Sequence, residues 1–395
     1  MFTATLKPKR DRPTRLGHPW IFSGAIDAID GTPALGEPVL VRAASGEILG
    51  VGAWSPESQI RIRMWHFGKE TPIDETFFRE KLAAALAVRA EMATRFNTNA
   101  LRIVNAEADG LPGITIDQYG DVLSGQFATA GAEWAKPMIV RELMALTGAK
   151  SFYERSDVDG RAREGLPQTT GLLAGEEPPE QIVIHEGDVK FGVDVRKGHK
   201  TGYYLDQRES RRIVASYAAG RDVLNTFSYT GGFGVAAQKA GAKSVTHVDI
   251  SAPALAQARI NTTLNGFAED SATFLQGNVF QELRAFRDRG RSFGLVILDP
   301  PKFADTRSQT MKALRGYKDV NLLGIKLVEK GGWLATFSCS GAITPELFRT
   351  VVAEAAHDAG RTVRIVQELR QAPDHVEALT FPEGLYLKGL LCHVE

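Results

Sequence analysis

The chain has 395 residues, of which 43% are hydrophobic and 24% are charged. This composition is typical of a folded globular protein and excludes an intrinsically disordered one. The length exceeds what one ordinary hydrophobic core supports, so two or three domains are expected. Lys plus Arg and Asp plus Glu both total 47, and overall charge therefore gives no argument for a nucleic-acid partner.

Compartment and metal content follow from what the sequence lacks. No run approaches the roughly eighteen apolar residues that a membrane span requires, and the N-terminus has no apolar signal core. The two cysteines, Cys339 and Cys392, cannot form a disulfide framework, and no Cys/His group has zinc-site spacing. The sequence predicts a cytoplasmic protein without a bound metal, and it leaves a homodimer open.

Basic residues cluster in two stretches that each contain a single acid. The first holds Lys7, Lys9, Arg10, Arg12 and Arg15, and the second holds Lys302, Arg307, Lys312, Arg315 and Lys318. Two such clusters on a neutral protein fit local contact with phosphates, although either one alone is equally typical of a solvated surface. The candidate RNA contacts in them are Lys7, Lys9, Arg10 and Lys302.

The N-terminal half predicts two small domains. Residues 1–70 contain short β-like runs, and Ile60–Met64 alternates apolar residues with arginines, as in a twisted β-barrel or sandwich. A helix is predicted to begin after Thr71, which can cap it. Further strand-like runs and a second helix, Glu133–Leu146, make residues 71–184 a small α+β domain.

In residues 185–395, apolar strands alternate with helices, as in a doubly wound α/β sheet. The first five strands are too apolar to be half exposed, so we predict that they are central, parallel and covered on both faces. The candidate strands are Val223–Phe227, Ser244–Val248, Thr273–Leu275, Leu295–Leu298, Trp333–Phe337, Val363–Val366 and Tyr386–Cys392.

A loop rich in small residues follows the first of these strands. Residues 228–234 read Ser-Tyr-Thr-Gly-Gly-Phe-Gly and lead into a helix. Such a loop lets backbone N–H groups approach a nucleoside at the helix N-terminus, although a turn with structural glycines explains it equally well. The candidate cofactor contacts here are Asn225, Phe227, Tyr229, Thr230 and Gly231.

Polar residues also end the next two strands. Asp249 lies 24 residues after Asn225, where folds of this kind place an acid on ribose hydroxyls. Asn278 follows the third strand, where a polar side chain can meet the adenine edge. Because strand ends line the ligand crevice of an open α/β sheet, these groups predict a nucleoside site.

The fourth strand ends in Asp299-Pro300-Pro301. The two prolines fix the backbone and remove two N–H donors, which leaves Asp299 directed at whatever lies beside the cofactor, with Pro300 as a further contact. A rigid surface turn is the alternative. An Asp-Pro-Pro turn at this position is more typical of methyltransferases acting on bases or amino groups than of dehydrogenases, so S-adenosylmethionine is the predicted cofactor.

Cys339 ends the fifth strand between two serines. Most isolated cysteines are small core hydrophobes, a description that fits Cys392 in an apolar run. Cys339 differs because the fourth and fifth strands are neighbours in the usual order of this fold, which would bring it beside Asp299. The flanking serines predict a polar, accessible strand end.

A thiol in this position suits methylation at carbon 5 of cytosine. That carbon is too weakly nucleophilic to take a methyl group directly, whereas thiolate addition at carbon 6 makes an enamine that can. The site must then favour the thiolate, and Asp299 can stabilise the protonated N3 of the adduct. The base that removes the carbon-5 proton is not identified by the sequence.

These residues, taken together, resemble the bacterial ribosomal RNA large subunit methyltransferase I family, which forms 5-methylcytosine in 23S ribosomal RNA. The similarity covers nearly the whole chain. Its motifs are residues 18–26, 198–208, Asn225–Gly234, Asp299–Phe303, Ser338–Ser340, 371–375 and 381–384.

The resemblance implies an N-terminal β-rich PUA RNA-binding domain, a small α+β middle domain and a C-terminal Rossmann-like class I methyltransferase domain. It implies Cys339 as the nucleophile, a cofactor site with Asp249, Asn278 and Asp299, and large-subunit ribosomal RNA as the partner. It also places residues 200–208 near the pocket, which makes Arg208 a further candidate RNA contact.

Three alternatives stay open at this point. A related methyltransferase class modifies guanine or exocyclic amino groups in ribosomal RNA and needs no thiol. A dinucleotide-dependent oxidoreductase would bind NADH, but the glycine fingerprint is missing. A non-catalytic RNA-binding assembly factor would bind RNA and release no S-adenosylhomocysteine.

Overall fold

The computed structural model describes residues 1–303 and 309–395. The chain divides into two units, and each is built from more than one stretch of sequence. The first unit comprises residues 1–187, 193–205 and 373–384, and the second comprises residues 188–192, 206–372 and 385–395. The predicted division at residues 70 and 184 stays a prediction. Arg307 of the second basic cluster lies outside the described residues.

The first sheet of the N-terminal unit has six strands in the order β2-β6-β5-β4-β1-β3. Ile62 and Met64 are buried in its core, as the alternation predicted, while Arg63 on the opposite face pairs with Glu164 at 2.9 Å. A four-residue helix, α1 (Arg12–Arg15), follows the first strand. The strands are β1 (Phe2–Leu6), β2 (Trp20–Phe22), β3 (Ile26–Ile29), β4 (Pro38–Arg42), β5 (Ile48–Trp54) and β6 (Ile60–Phe67).

The second sheet has five strands in the order β11-β10-β9-β8-β7 and packs against two helices, α2 (Glu75–Arg95) and α3 (Ala130–Thr147). The predicted cap of the first helix is wrong. Asp74, not Thr71, caps α2 by accepting a hydrogen bond from the N–H of Phe77, so the helix begins later than predicted. The strands are β7 (Ala100–Asn105), β8 (Ile114–Tyr119), β9 (Val122–Phe127), β10 (Ser151–Ser156) and β11 (Thr169–Gly175).

The second unit contains a seven-stranded sheet. Two short strands precede it in the sequence, β12 (Ile182–Glu186), which belongs to the first unit, and β13 (Val189–Val193). The sheet strands are β14 (Asp222–Thr226), β15 (Ser244–Asp249), β16 (Thr273–Gln276), β17 (Phe293–Leu298), β18 (Val328–Ser338), β19 (Val363–Arg370) and β20 (Lys388–Val394). The helices are α4 (Arg208–Ala215), α5 (Gly232–Lys239), α6 (Ala252–Leu264), α7 (Val279–Asp288), α8 (Thr310–Leu327) and α9 (Pro345–Ala359).

All seven predicted strands of this sheet are present, in the order β16-β15-β14-β17-β18-β20-β19. The first five in sequence run parallel, and β20 is antiparallel to both of its neighbours. One prediction is wrong: β16 lies at the sheet edge and is partly exposed. Its run of apolar residues is too short to require burial on both faces.

Apolar side chains cover both faces of the sheet, which confirms the doubly wound α/β fold. One cluster packs the sheet against α7, α8 and α9, and includes Phe286, Val320 and Phe348. The other packs it against α4 and α5 through Val214 and Phe233. Each large apolar side chain buried in this way contributes about 1.5–3 kcal/mol. No helix within residues 1–303 or 309–395 is both long and apolar enough to span a membrane.

Candidate active site

Four parallel strands of the second unit have their carboxyl-terminal ends side by side, and this end of the sheet is called its edge below. Register pairs Thr226 of β14 with Val248 of β15 and with Leu298 of β17, and Leu298 in turn with Thr336 of β18. The residues that follow these strand ends therefore converge. They include the loop 227–231, Asp249, Asp299 and Cys339.

The loop after β14 has an unusual backbone. Phe227 and Tyr229 have φ of 51° and 47°, a left-handed backbone conformation that residues other than glycine rarely adopt. Gly231 follows with φ of 82°. Each such non-glycine residue costs about 1–3 kcal/mol and is found mostly at functional sites. The carboxylate of Asp249 holds the loop, because it accepts the Tyr229 N–H at 2.8 Å and the Ser251 N–H at 2.9 Å.

Two glycines of the loop are required by packing. A Cβ on Gly231 would come within 2.9 Å of the Ala258 Cβ, and one on Gly234 within 2.3 Å of His247 Cε1. Gly234 thus allows α5 to lie directly on β15, so the structural explanation of the glycines holds for this position. His247 is fully buried, which lowers its pKa to about 3 and keeps the imidazole neutral. The Asn225 amide lies 3.3 Å from His247 Nδ1, inside the sheet.

Asn278 has a structural task in the described chain. It caps α7, where its Oδ1 accepts hydrogen bonds from the N–H groups of Phe280 and Gln281 at 3.0 and 3.3 Å. The side chain is exposed, and its Nδ2 group is not part of the cap. Contact between Asn278 and a nucleobase stays a prediction.

Asp299 follows β17 and is followed by the buried Pro300. Its Oδ1 accepts a hydrogen bond from Gln207 Nε2 at 3.2 Å. Removal from water raises the pKa of Asp299 to about 7, the negative charge of Asp206 adds to this, and Arg211 opposes it. A substantial fraction of this carboxyl group therefore carries its proton at neutral pH and can donate a hydrogen bond.

Cys339 is partly exposed, whereas its two neighbours are buried. The prediction of a polar, accessible strand end is wrong for Ser338 and Ser340. Both are 0% exposed, and they lie 2.9 and 3.2 Å from the buried Tyr317 hydroxyl of α8. This arrangement anchors the backbone on either side of Cys339, so that only the cysteine side chain is open to the edge of the sheet.

The thiol itself is not activated as expected. Burial raises the pKa of Cys339 to about 11, the charges of Asp299 and Asp206 add to this, and Lys388 opposes it. The thiol therefore holds its proton near pH 7, and the thiolate that carbon-5 methylation would require depends on the opposing charge of Lys388. Cys392 is 0% exposed in an apolar cluster, as predicted, and burial raises its pKa to about 12.

Similarity to known proteins decides the family. Residues 153–389 match the S-adenosylmethionine-dependent methyltransferase model, and residues 4–67 match a PUA-like domain. The chain is 50% identical to ribosomal RNA large subunit methyltransferase I of Aliivibrio fischeri over 98% of this chain and 97% of that one, and 48% identical to that of Shewanella amazonensis over 98% of both. The chain belongs to the ribosomal RNA large subunit methyltransferase I family.

Membership in the methyltransferase I family confirms the predicted resemblance and the S-adenosylmethionine cofactor. Solved structures agree on the fold. A protein assigned as a methyltransferase and solved with S-adenosylhomocysteine superposes with a TM-score of 0.87 at 22% identity, with 100% of both chains covered. A protein from Streptococcus mutans that is assigned as an S-adenosylmethionine-dependent methyltransferase gives 0.86 at 21% identity, also with 100% of both chains covered.

The strand edge of this methyltransferase suits the cofactor. The hydroxyl oxygens of Ser228 and Thr230 are buried and have no hydrogen-bond partner among residues 1–303 and 309–395. Unsatisfied buried hydroxyls are costly, and a polar ligand bound over this loop would satisfy them. Each Asp249 oxygen keeps a lone pair beyond its backbone bond, so the carboxylate can also accept the ribose hydroxyls.

Two residues of the methyltransferase site were missed by sequence reasoning. Asp206 lies in the Leu205–Gln207 turn, where its Oδ2 accepts the Tyr386 hydroxyl at 2.8 Å and its Oδ1 is buried without a partner in the described chain. Lys388 begins β20 and is 6% exposed. The motif in residues 198–208 could have indicated Asp206. The start of an apolar strand gave no indication of Lys388.

The predicted RNA contacts of the methyltransferase differ in exposure. Lys9 and Arg10 line a groove of about 440 Å³ together with Trp20 and Phe22, and Lys7 is exposed nearby. Arg12 lines the same groove, whereas Arg15 is paired with Asp11 and Glu47. In the second unit Lys302 is exposed, Arg208 is only 2% exposed, and Lys318 is paired with Glu354 and Asp358.

Proposed function

We propose that the protein methylates carbon 5 of a cytosine in large-subunit ribosomal RNA, with Cys339 as the nucleophile. One observation carries the proposal: a partly exposed thiol and a carboxyl group that holds its proton near neutral pH follow adjacent strands, β18 and β17. The names of the curated relatives supply the class of RNA. A guanine or amino-group methyltransferase would have no use for the thiol.

Asp299 is the acid of the proposed reaction. When the sulfur of Cys339 adds to carbon 6, electrons move through the ring to N3, which must be protonated. The Asp299 carboxyl, with its pKa raised to about 7, can supply that proton or a strong hydrogen bond. Carbon 5 then becomes an enamine carbon that is able to attack an electrophile.

The remaining residues hold the two substrates. Bound S-adenosylmethionine supplies an electrophilic methyl group. Asp249 and the loop 227–231 hold its nucleoside end. The Asp249 carboxylate can accept hydrogen bonds from the ribose hydroxyls. The buried hydroxyls of Ser228 and Thr230, which have no partner among the described residues, can make further polar contacts with the cofactor. Lys7, Lys9 and Arg10 hold RNA phosphates beside the aromatic groove of the N-terminal sheet. Cytoplasmic location and homodimer formation stay predictions.

Nucleoside analysis of modified RNA tests the function. Large-subunit RNA from cells that lack the gene is incubated with the protein and methyl-labelled S-adenosylmethionine, then digested and separated by mass spectrometry. The proposal expects label in 5-methylcytidine. Label in 7-methylguanosine or in an N-methylated base would support the thiol-independent alternative, and RNA binding without S-adenosylhomocysteine release would indicate a non-catalytic assembly factor.

A further inference from the structure

Lys388 is a buried lysine held beside the end of β18. Its backbone pairs with Ser338, and its Nζ donates hydrogen bonds to the carbonyl oxygens of Ser340 and Tyr386, both at 2.7 Å. Lysine is almost never this deeply buried without a charged partner. Both of these acceptors are neutral carbonyls, so these contacts do not neutralise the ammonium group. Cys339 lies between the strand residue that Lys388 pairs with and the residue whose carbonyl it contacts.

The two carbonyls also fix how the amine is oriented. An ammonium group has three N–H donors, and two of them are used by Ser340 and Tyr386. The third position carries a proton in the ammonium form and a lone pair in the amine form. Within residues 1–303 and 309–395 Lys388 has no third hydrogen-bond partner, so one position is available for gaining or losing a proton while the other two contacts stay unchanged.

We propose that Lys388 is a positioning residue for the nucleophile, and that Cys339 reacts as a thiolate beside the Lys388 ammonium. This inference rests on the proposed function for the use that is made of the thiolate. It assigns to the methyltransferase a residue outside the motifs identified in the sequence.

Charges around the pair determine its ionisation. Burial lowers the pKa of Lys388 to about 8, and Cys339 opposes that change. Burial and the charges of Asp299 and Asp206 raise the pKa of the Cys339 thiol, and the charge of Lys388 lowers it. From α8, the Tyr317 hydroxyl faces the same strand end, and burial raises its pKa, so it stays neutral near pH 7.

Because the thiol and the amine influence each other, they titrate as one coupled pair. The first proton leaves the pair to water as the pH rises through the lysine range. The single proton that stays is either on sulfur or on nitrogen. Placing it on Nζ gives a thiolate and an ammonium, which attract each other in a site with little water.

The chemical step balances for this form. The thiolate lone pair makes the bond from Sγ to carbon 6, the ring electrons move to N3, and N3 takes the proton of Asp299. Carbon 5 then takes the methyl group, and the electron pair of the broken sulfonium bond stays with S-adenosylhomocysteine. The carbon-5 proton passes to a solvent base, the electron pair that it leaves behind restores the C5–C6 double bond and expels the thiolate, and the Asp299 carboxylate recovers the N3 proton. Lys388 stays protonated throughout and stabilises the sulfur anion at both ends of the cycle.

Alkylation of Cys339 by iodoacetamide tests the pair without RNA or cofactor. The rate is followed against pH by mass spectrometry in a Cys392→Ala background, with Lys388 intact, Lys388→Met, Lys388→Gln or Lys388→Arg. Loss of an adjacent opposite charge typically moves a pKa by about 1–3 units. The midpoint should therefore rise by about one pH unit or more in the Met and Gln variants, and alkylation near pH 8 should slow about tenfold.

Charge separates this inference from a structural role. Lys388→Arg keeps a permanent cation and should keep the low-pH alkylation that Lys388→Gln loses. The control, Lys330→Gln, changes an exposed lysine of the neighbouring strand β18 and should leave the midpoint unchanged. S-adenosylhomocysteine binding and the melting temperature identify variants that do not fold.

The inference is overturned if folded Lys388→Gln or Lys388→Met alkylates with the midpoint of the unchanged protein, or if the Arg and Gln variants behave alike. Because the assay contains no RNA, its outcome is independent of which base is methylated. A product other than 5-methylcytidine would contradict the proposed function while leaving the measured thiol titration in place.

Discussion

Cys392 lies on β20, Cys339 directly follows the adjacent strand β18, and the surroundings of the two cysteines differ. Cys392 pairs with Leu334 in the middle of the strand pair, is fully buried among apolar side chains, and owes its raised pKa to burial. Cys339 lies at the strand end, is partly exposed, and is influenced by Asp299, Asp206 and Lys388. Both thiols have raised pKa values, so reactivity is decided by what surrounds the sulfur and by access to it.

The largest expected effect separates the two thiols directly. Cys339→Ala and Cys339→Ser should bind S-adenosylhomocysteine normally but methylate RNA at least about a thousandfold more slowly, because neither side chain is an adequate nucleophile near neutral pH. Cys392→Ala should keep its activity and lose about 1 kcal/mol of stability. Single-turnover methylation and thermal unfolding measure both. The contrast between the cysteines breaks if Cys339→Ala keeps near wild-type activity.

Asp299, one of the carboxyl groups near Cys339, should affect both the rate of methylation and its pH dependence. Asp299→Asn cannot donate a proton to N3 and should lower kcat by about 10²–10⁴-fold. The proton-bearing form of Asp299 is the working form, so its contribution is complete below its pKa of about 7 and is lost as the pH rises through that value. The Cys339–Lys388 pair must instead have lost one of its two protons, which is favoured as the pH rises, and the two requirements together give a bell-shaped dependence of kcat/KM on pH.

Asp206→Asn should move that bell to lower pH. Removing the negative charge lowers the pKa values of both Asp299 and Cys339, because Asp206 raises both. A shift of about one pH unit in each limb is expected, and kcat/KM measured from acid to alkaline pH detects it. An unchanged profile would mean that Asp206 does not influence the reacting groups.

A smaller effect is expected at Asp249, the last residue of β15. Asp249→Ala should lose hydrogen bonds to the ribose, worth about 1.5–3 kcal/mol for a charged acceptor, and bind S-adenosylhomocysteine about ten- to a hundredfold less tightly. Titration calorimetry measures the affinity. Because Asp249 also holds Tyr229, Asp249→Asn is the milder companion variant. Unchanged affinity in both variants would remove Asp249 from the cofactor site.

The smallest effect concerns the N-terminal groove. Changing Lys7, Lys9 and Arg10 together to glutamine should weaken binding to all RNA sequences alike. The slope of log affinity against log salt should become shallower by about 0.7–0.9 for each lost phosphate contact. Lys302→Gln serves as the comparison in the second basic cluster. If the triple variant keeps the slope and Lys302→Gln reduces it, the RNA contact belongs to the second unit.

Strand ends were the part of the site that the sequence could locate. Apolar runs followed by a polar residue placed Asp249, Asp299 and Cys339 at one edge, because parallel strands end together. The same reasoning misplaced β16, whose short apolar run occupies the sheet edge. It also failed for Ser338 and Ser340, since their burial depends on Tyr317 from a helix more than twenty residues away in the chain.

The charged groups that surround Cys339 could not be located from the sequence. Lys388 contacts the Ser340 carbonyl across 48 residues, and Asp206 is 93 residues from Asp299 in the chain. Neither spacing carries a periodic pattern, and the positions of Lys388 and Asp206 depend on how the antiparallel strand and the loops pack in the folded chain. The start of α2 is a local example, because Asp74, and not the predicted Thr71, accepts the capping hydrogen bond from Phe77.

Covalent trapping tests directly whether Cys339 is the nucleophile. Target RNA transcribed with 5-fluorocytidine should form an adduct with the protein in the presence of S-adenosylmethionine, because the fluorine on carbon 5 cannot be removed as the proton is. If Cys339 is the nucleophile, the complex should survive denaturing gel electrophoresis, with RNA attached to the peptide that contains Cys339. The complex should be present in Cys392→Ala and absent in Cys339→Ala. A protein that methylates ordinary RNA but forms no such complex, or forms it through another residue, would contradict the account.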